Sequence, residues 1–269
     1  MTSIKEMIRL ANAQGYINDN AEAKVCQDVI LKAIAKSPLS NNVTIKGGVV
    51  MRSISQNARR ATQDIDIDFI RYSLSDDSIR QFIKKLDCLE DIHIHQTGEI
   101  YELNQQDYNG KRIYVLISDE FDDSIESKVD LGVHKNLDIA QEEYCFDIAC
   151  YDGSATLLIN SKEQMFTEKL RSLLKFGPYS TRYKDVFDMY YLAPTIDTAK
   201  LAQCLDTFII NDPGMKENNM NSIIRRITNT FSSNNYITKL TASNKNWINE
   251  EIPTVTSTLI EFLRSLASK

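Results

Sequence analysis

The sequence predicts an α+β unit followed by an all-helical one. Three observations carry this. In DIDIDFI, residues 64–70, the residues alternate acid and apolar with a period of two, the side-chain period of a strand. Between about 92 and 148 further strand-like runs are separated by polar and glycine breaks. After Gly153 the apolar residues recur at helical spacing. Two domains are expected, 1–153 and 154–269, and no internal repeat or low-complexity tract interrupts them.

In chain order, Ser3 with Glu6 makes a capping box ahead of IKEMIRLANAQ, so a helix opens the chain. A second helix runs from about Ala21 to Ala35 and stops near Ser37-Pro38, because the residue before a proline avoids helical backbone. Val43–Lys46 reads as a short strand that meets Gly47-Gly48, with VVMRSI after it as a short helix. The DIDIDFI strand follows. Ser75, Asp76 and Asp77 suit a helix start, where acids meet the positive end of the dipole, and that helix reaches about Leu86. The clearest later strands are Arg112–Ser118, Ile125–Val133 and Tyr144–Ala149. Ser161 with Gln164 caps a helix through about Lys175, which Gly177-Pro178 ends. Arg182–Ala193, Thr198–Ile210, Met220–Phe231 and Val255–Ala267 read as helices.

Composition narrows the function classes. The 269 residues include 31 Lys+Arg and 37 Asp+Glu, a net charge of −6, which disfavours a generic basic nucleic-acid binder. The charge is uneven: residues 1–150 carry 17 basic and 25 acidic side chains, residues 151–269 carry 14 and 12, so the two halves are expected to have different tasks. No uncharged apolar run approaches the ~18 residues of a membrane span, and MTSIKEMIRLANAQG has no signal-peptide core. A cytoplasmic location with no membrane partner is therefore expected. Cys26, Cys88, Cys145, Cys150 and Cys204 are odd in number and contain no C-x-x-C, so reduced, mostly buried thiols are expected.

The carboxylates carry the chemistry. On a strand Asp64, Asp66 and Asp68 share one face, while Ile65, Ile67 and Phe69 share the other. Like charges side by side cost free energy unless cations compensate, and hard divalent ions take oxygen ligands. A calcium loop fails on position: counted from Asp64, the sixth residue is Phe69 and the twelfth is Ser75. A bare D-x-D is otherwise a solvated acidic face. In SKVDLGV, Asp130 points away from Val129 and Leu131, and beside the D-x-D strand it would complete a two-ion site. Gly47-Gly48 lets backbone approach a ligand closely, and amide groups at a helix start favour phosphate oxygens. Neither a P-loop nor a Rossmann fingerprint is present.

Together, KGGVVMR at 46–52 and RATQDID at 60–66 resemble the first motif of the AbiEii/AbiGii nucleotidyltransferase toxins, K-G-G-x-x-L-R followed by R-x-[ST]-x-D-[IL]-D, with Met51 in place of Leu. KVDLGV at 128–133, EKLRSLL at 168–174 and RYKDVFDMYYL at 182–192 follow in the order of the family's later motifs. The resemblance covers roughly 40–195. It implies a DNA polymerase β-like nucleotidyltransferase fold with a helical C-terminal domain, and a toxin paired with a separately encoded antitoxin. Relatives of that type, the MenT toxins, add nucleotides to tRNA 3′ ends.

The site residues follow from residues and resemblance together. Asp64, Asp66 and Asp130 would bind Mg²⁺ or Mn²⁺, with Asp130 helping to deprotonate an attacking hydroxyl. Gly47 and Gly48 would approach the NTP triphosphate, with Lys46 and Arg52 as lesser candidates; Arg60 and Thr62 would orient the acidic strand or touch phosphate. Asp68 lies outside the motif pair. On a wheel of about 100° per residue Lys169 falls inside the apolar arc of Met165, Phe166, Leu170, Leu173 and Leu174, so it needs an anion: a triphosphate or a structural partner. Asp185 and Asp188 share one side of the next helix, either holding Arg182, Lys184 or the preceding helix, or setting Asp185 beside Lys169 at the nucleotide.

Three alternatives stay open: a catalytic transferase acting on RNA, one acting on a protein side chain, and a non-catalytic nucleotide-binding or interaction module. His93 and His95 alternate on a strand with no third ligand in view and read as a partly exposed face. Arg225, Arg226, Lys239 and Lys245 form a modestly basic stretch within 196–269, a region that carries none of the motifs above.

Overall fold

A computed structural model describes residues 3–103, 110–148, 151 and 153–267. It divides into two compact units after Asn160. In the first, Ser3 caps α1 (Ile4–Ala13) by accepting from the Glu6 amide, half of the expected capping box. The following helix, α2 (Asp19–Lys36), is buried almost all round and stops at Ser37 before the proline, as expected. Then come β1 (Val43–Lys46), α3 (Gly47–Ser55), β2 (Asp64–Phe69), α4 (Asp76–Leu86), β3 (Ile92–Leu103), β4 (Gly110–Asp119), β5 (Ser124–Val133), β6 (Glu142–Asp147) and β7 (Ser154–Ile159).

Among the described residues these strands form one mixed sheet in the order β3-β4-β5-β2-β1-β7-β6. Two neighbouring pairs are parallel, β2 with β5 and β1 with β7, and the rest are antiparallel. Ile45, Ile65, Ile67, Phe69, Val129 and Leu131 supply a dry layer in the middle of the sheet, and α2 packs against β5 and β7. The helix α4 lies on β3, and its Phe82 meets Phe69 edge-on at 5.0 Å. The mixed sheet with flanking helices is the architecture the sequence implied.

The second unit is helical throughout its described residues: α5 (Lys162–Phe176), α6 (Tyr183–Leu192), α7 (Thr198–Leu205), α8 (Met220–Phe231), α9 (Asn234–Ala242) and α10 (Ile252–Ala267). Ser161 caps α5 through the Gln164 amide, and Gly177 at positive φ ends it, as expected. No helix among the described residues is long and apolar enough to cross a membrane.

Four expectations are corrected. The boundary falls after Asn160 rather than 153, because β7 pairs with β1 and β6 and so belongs to the sheet. The helix expected over 198–210 is α-helical only to Leu205 and continues as a π-helical turn, Asp206–Ile210. The helix α9 was not expected; only Tyr236 and Leu240 of it are buried, too few for a periodic signal. Of the thiols, Cys26 and Cys204 are buried but Cys88 and Cys145 are exposed, while Ala149 and Cys150 lie outside the described residues. Burial pushes the Cys26 thiol up to about 12 and the Cys204 thiol to about 11, so neither is reactive at neutral pH.

Candidate active site

The alternation in β2 resolves as the pattern dictates. Ile65, Ile67 and Phe69 are fully buried on one face, and the three acids line the other. Register then decides what meets them. In the parallel pairing Asp66 stands opposite Asp130, and Asp64 opposite Lys128. In the antiparallel pairing of β1 with β2, Lys46 stands opposite Asp66 and Thr44 opposite Asp68. In the pairing of β4 with β5, Arg112 stands opposite Asp130. One row therefore crosses four neighbouring strands as Lys46, Asp66, Asp130, Arg112. The adjacency of the D-x-D strand and the Asp130 strand, assumed at the sequence level, is present.

Strands about 4.8 Å apart bring two carboxylates of this row side by side, which is unfavourable without nearby cations. The structure supplies them. Asp130 grips the Arg112 guanidinium with both oxygens, at 2.7 Å from Nε and 2.9 Å from Nη2. Asp64 meets Lys128 Nζ at 2.6 Å, both being partly open to solvent. Asp68 and Lys46 are buried together at 2.7 Å. Hydrogen bonding by Asp130, the largest cause, holds the Arg112 guanidinium well above its ordinary range. The third acid of DIDID is thus engaged by Lys46, while Asp64, Asp66 and Asp130 remain the group on neighbouring positions.

Gly47 opens α3 immediately beside Asp66. Its φ is +66°, and a Cβ there would lie 2.2 Å from Asp66 Oδ2. A Cβ on Gly48 would lie 2.5 Å from Thr62 Oγ1. Both glycines are therefore required by the closeness of Asp66 and Thr62 to the start of α3. Thr62 is held from behind, its carbonyl accepting from Gln27 Nε2 at 2.8 Å. Arg60 is buried in the turn before β2.

Arg52 packs against α2 and Tyr16. Its guanidinium is buried, with Nη2 3.5 Å from Asp28 Oδ1 and its carbon 5.9 Å from the centre of the Tyr16 ring. Lys24 also pairs with Asp28, so this cluster ties α3 to α2.

Within the second unit, the inward lysine has anionic partners of its own. Lys169 Nζ lies 2.9 Å from Asp185 Oδ1 and 2.8 Å from Asp188 Oδ2, and all three side chains are buried. Arg182 Nε reaches Asp185 Oδ2 at 2.5 Å, and Trp247 Nε1 donates to Asp188 Oδ1 at 3.0 Å. Burial alone would raise the Asp185 carboxyl. The charges of Lys169 and Arg182 and their hydrogen bonds overcome that and hold it at about 2. Of the two sequence readings of this lysine, the structural pair is present.

Arg112, Asp28 and Trp247 escaped the sequence reading, because each partner comes from a distant segment that only register or tertiary packing supplies. Lys128 was legible: in KVD it shares a face with Asp130. Asp87 was also missed. It lies beside His93, with Oδ1 3.4 Å from Nδ1. In the basic stretch, Arg226 donates through Nε to the Leu174 carbonyl and packs over Gly177, whereas Arg225, Lys239 and Lys245 are exposed.

Comparison with known proteins shows the family. No curated protein matches the chain. A crystal structure of an antigenic nucleotidyltransferase-like protein from Paracoccidioides brasiliensis is similar at 14% identity, covering 82% of this chain and 93% of that one with a TM-score of 0.47. The family described as nucleotidyl transferase AbiEii toxin, type IV TA system, matches residues 29–255, well past the motifs at 46–192. With the match spanning most of its length, the chain belongs to the AbiEii nucleotidyltransferase toxin family of type IV toxin–antitoxin systems.

Proposed function

We propose that this toxin transfers a nucleotide from an NTP to the 3′ end of an RNA, tRNA being the favoured acceptor, and that Asp64, Asp66 and Asp130 form its reaction centre with Mg²⁺ or Mn²⁺. The observation that supports this most is register: Asp66 and Asp130 stand side by side on β2 and β5, with Asp64 one step along the same face. The donor set fits such an ion, because three carboxylates offer only hard oxygens. Bound there, divalent ions would neutralise charge on the attacking and leaving oxygens. Arg112 and Lys128 now occupy two of the three acids and would have to yield part of that contact.

The chain's own groups have distinct parts. Asp64 and Asp66 would hold the cations. Asp130 takes the proton of the attacking hydroxyl, whose oxygen bonds to the α-phosphorus as the bond to pyrophosphate breaks. Gly47 and Gly48 let α3 start against Asp66 and Thr62, and the first amides of that helix would meet the triphosphate. Lys46, Arg60 and Thr62 fix the acidic strand, and Arg52 fixes α3. Lys169 carries a nucleotide role on the motif resemblance, with Asp185 beside it holding it in place. The RNA acceptor rests on the resemblance to the MenT toxins, and the type IV family description favours a cognate antitoxin as partner in the cytoplasm.

The test is incubation with total tRNA, each labelled NTP in turn, and Mg²⁺. Label from one NTP should move to tRNA, and Asp66→Asn, Asp130→Asn or EDTA should stop it. Label appearing on protein instead would transfer the acceptor to a side chain. Nucleotide binding with no transfer to either would make the chain a non-catalytic binding module.

A further inference from the structure

His93 and His95 are two residues apart on β3, an edge strand of the sheet, so both imidazoles leave the same face. Their rings lie nearly parallel, 10° apart in plane and 6.1 Å between centres. Asp87 reaches them from the turn after α4. Its Oδ1 accepts the Ile94 amide at 3.1 Å, which anchors the carboxylate at the strand edge between the two histidines. The same oxygen is 3.4 Å from His93 Nδ1. One ligand atom from each of the three residues lies within 4.8 Å of the others, and all three residues are exposed.

We propose that Asp87, His93 and His95 form a second metal site, separate from the acidic row, that takes a borderline ion such as Zn²⁺. The ligand chemistry selects the ion. Two imidazoles and one carboxylate suit Zn²⁺, Co²⁺ or Ni²⁺, whereas Mg²⁺ prefers oxygen alone. Ligands about 2.1 Å from a tetrahedral zinc are about 3.4 Å apart, the present spacing of Asp87 and His93. The widest gap closes by turning exposed rings, which carries little packing penalty. Three protein ligands leave a fourth position open. Arg80 and Lys84 line the adjoining hollow of about 420 Å³ together with Asp87 and His95. Those cations weaken metal binding, which sets the expected affinity in the micromolar range, and they favour an anion at the open position. Because the ligands come from β3 and from the turn after α4, the ion ties that turn to the sheet edge.

The test uses full-length, tag-free protein carrying Asp66→Asn and Asp130→Asn, so that the acidic row cannot supply the signal. Zn²⁺ is titrated against a chromogenic chelator, Co²⁺ by its visible d–d bands, and the melting temperature is followed with each ion. Expected are one Zn²⁺ per chain, intense Co²⁺ bands of a four- or five-coordinate site, a melting temperature raised by a few degrees, and no displacement by excess Mg²⁺. His93→Ala and His95→Ala should each weaken binding by at least about tenfold. Circular dichroism of the metal-free variants checks that they fold. Retention of the Zn²⁺ by the folded His93→Ala/His95→Ala double variant would overturn the proposal, as would absence of binding up to about 100 µM ion.

Discussion

Removing the Asp66 charge relieves a like-charge neighbour in the row and should leave the fold intact, whereas it takes a ligand from the reaction centre. Asp66→Asn should therefore slow transfer by about a thousandfold with an unchanged or slightly higher melting temperature, measured on the same preparation. Asp68→Asn should do the reverse. It removes the buried charge that pairs with Lys46, costing about 1–3 kcal/mol by denaturant unfolding, with far milder loss of transfer. The opposite ranking of the two variants would shift the working pair to Asp66 and Asp68. The glycines give a second comparison. Gly47→Ala meets Asp66 Oδ2 at 2.2 Å in a positive-φ backbone, while Gly98, at φ +65°, has nothing within 4 Å. Gly98→Ala should cost only about 1 kcal/mol, the backbone part, and Gly47→Ala markedly more, with loss of activity as β2 shifts. At this scale the acids and glycines were legible, because alternation and paired glycines are local patterns. Arg112 was not, since nothing near it in sequence says which acid it will face.

Helices α5 and α6 are joined by a neutral cluster: buried Lys169 and exposed Arg182 against buried Asp185 and Asp188, with the Trp247 indole closing it. Lys169→Ala leaves two buried carboxylates with one cation and should lower stability by about 3–5 kcal/mol. This reverses the effect expected of an inward lysine waiting for a nucleotide. The nucleotide role is tested separately, by whether NTP with Mg²⁺ still raises the melting temperature of the variant. The cluster also sets an acid response. Asp185 is held at about 2, below its ordinary 3.8, so its contribution is complete above pH 4 and is lost as pH falls towards 2. The loss is on the order of 2 kcal/mol, and it should be smaller in Lys169→Ala, where that depression is largely gone. Trp247, the only tryptophan, reports it by fluorescence. The helical wheel placed Lys169 on the inward face but not its partners, because periodicity gives the face of one helix and not the helix opposite. The strand β7 was missed for a related reason. Ala155, Leu157 and Ile159 do alternate inward, but the run is short and lies against the first helix cap of the next unit.

Each unit buries its own apolar residues, so each should fold alone, and the position of the cut is decisive. A fragment of residues 1–160 should unfold cooperatively by circular dichroism. One of residues 1–153 lacks β7, leaves β1 and β6 without a shared neighbour, and should melt at least about 10 °C lower or fail to fold. Fold class was readable at this scale because change of period from two to helical is a long-range signal. The strand order was not, because parallel pairing of β2 with β5 and β1 with β7 joins segments far apart in sequence. That order has a consequence in time. The row Lys46, Asp66, Asp130, Arg112 takes two residues from before α4 and two from after β3. A ribosome releases the D-x-D strand long before β5, so the first half of the nascent chain holds its acids without their counterpart. On the proposed assignment the reaction centre is complete only once synthesis of the first unit is nearly over, and a chain abandoned earlier in translation carries no transferase activity.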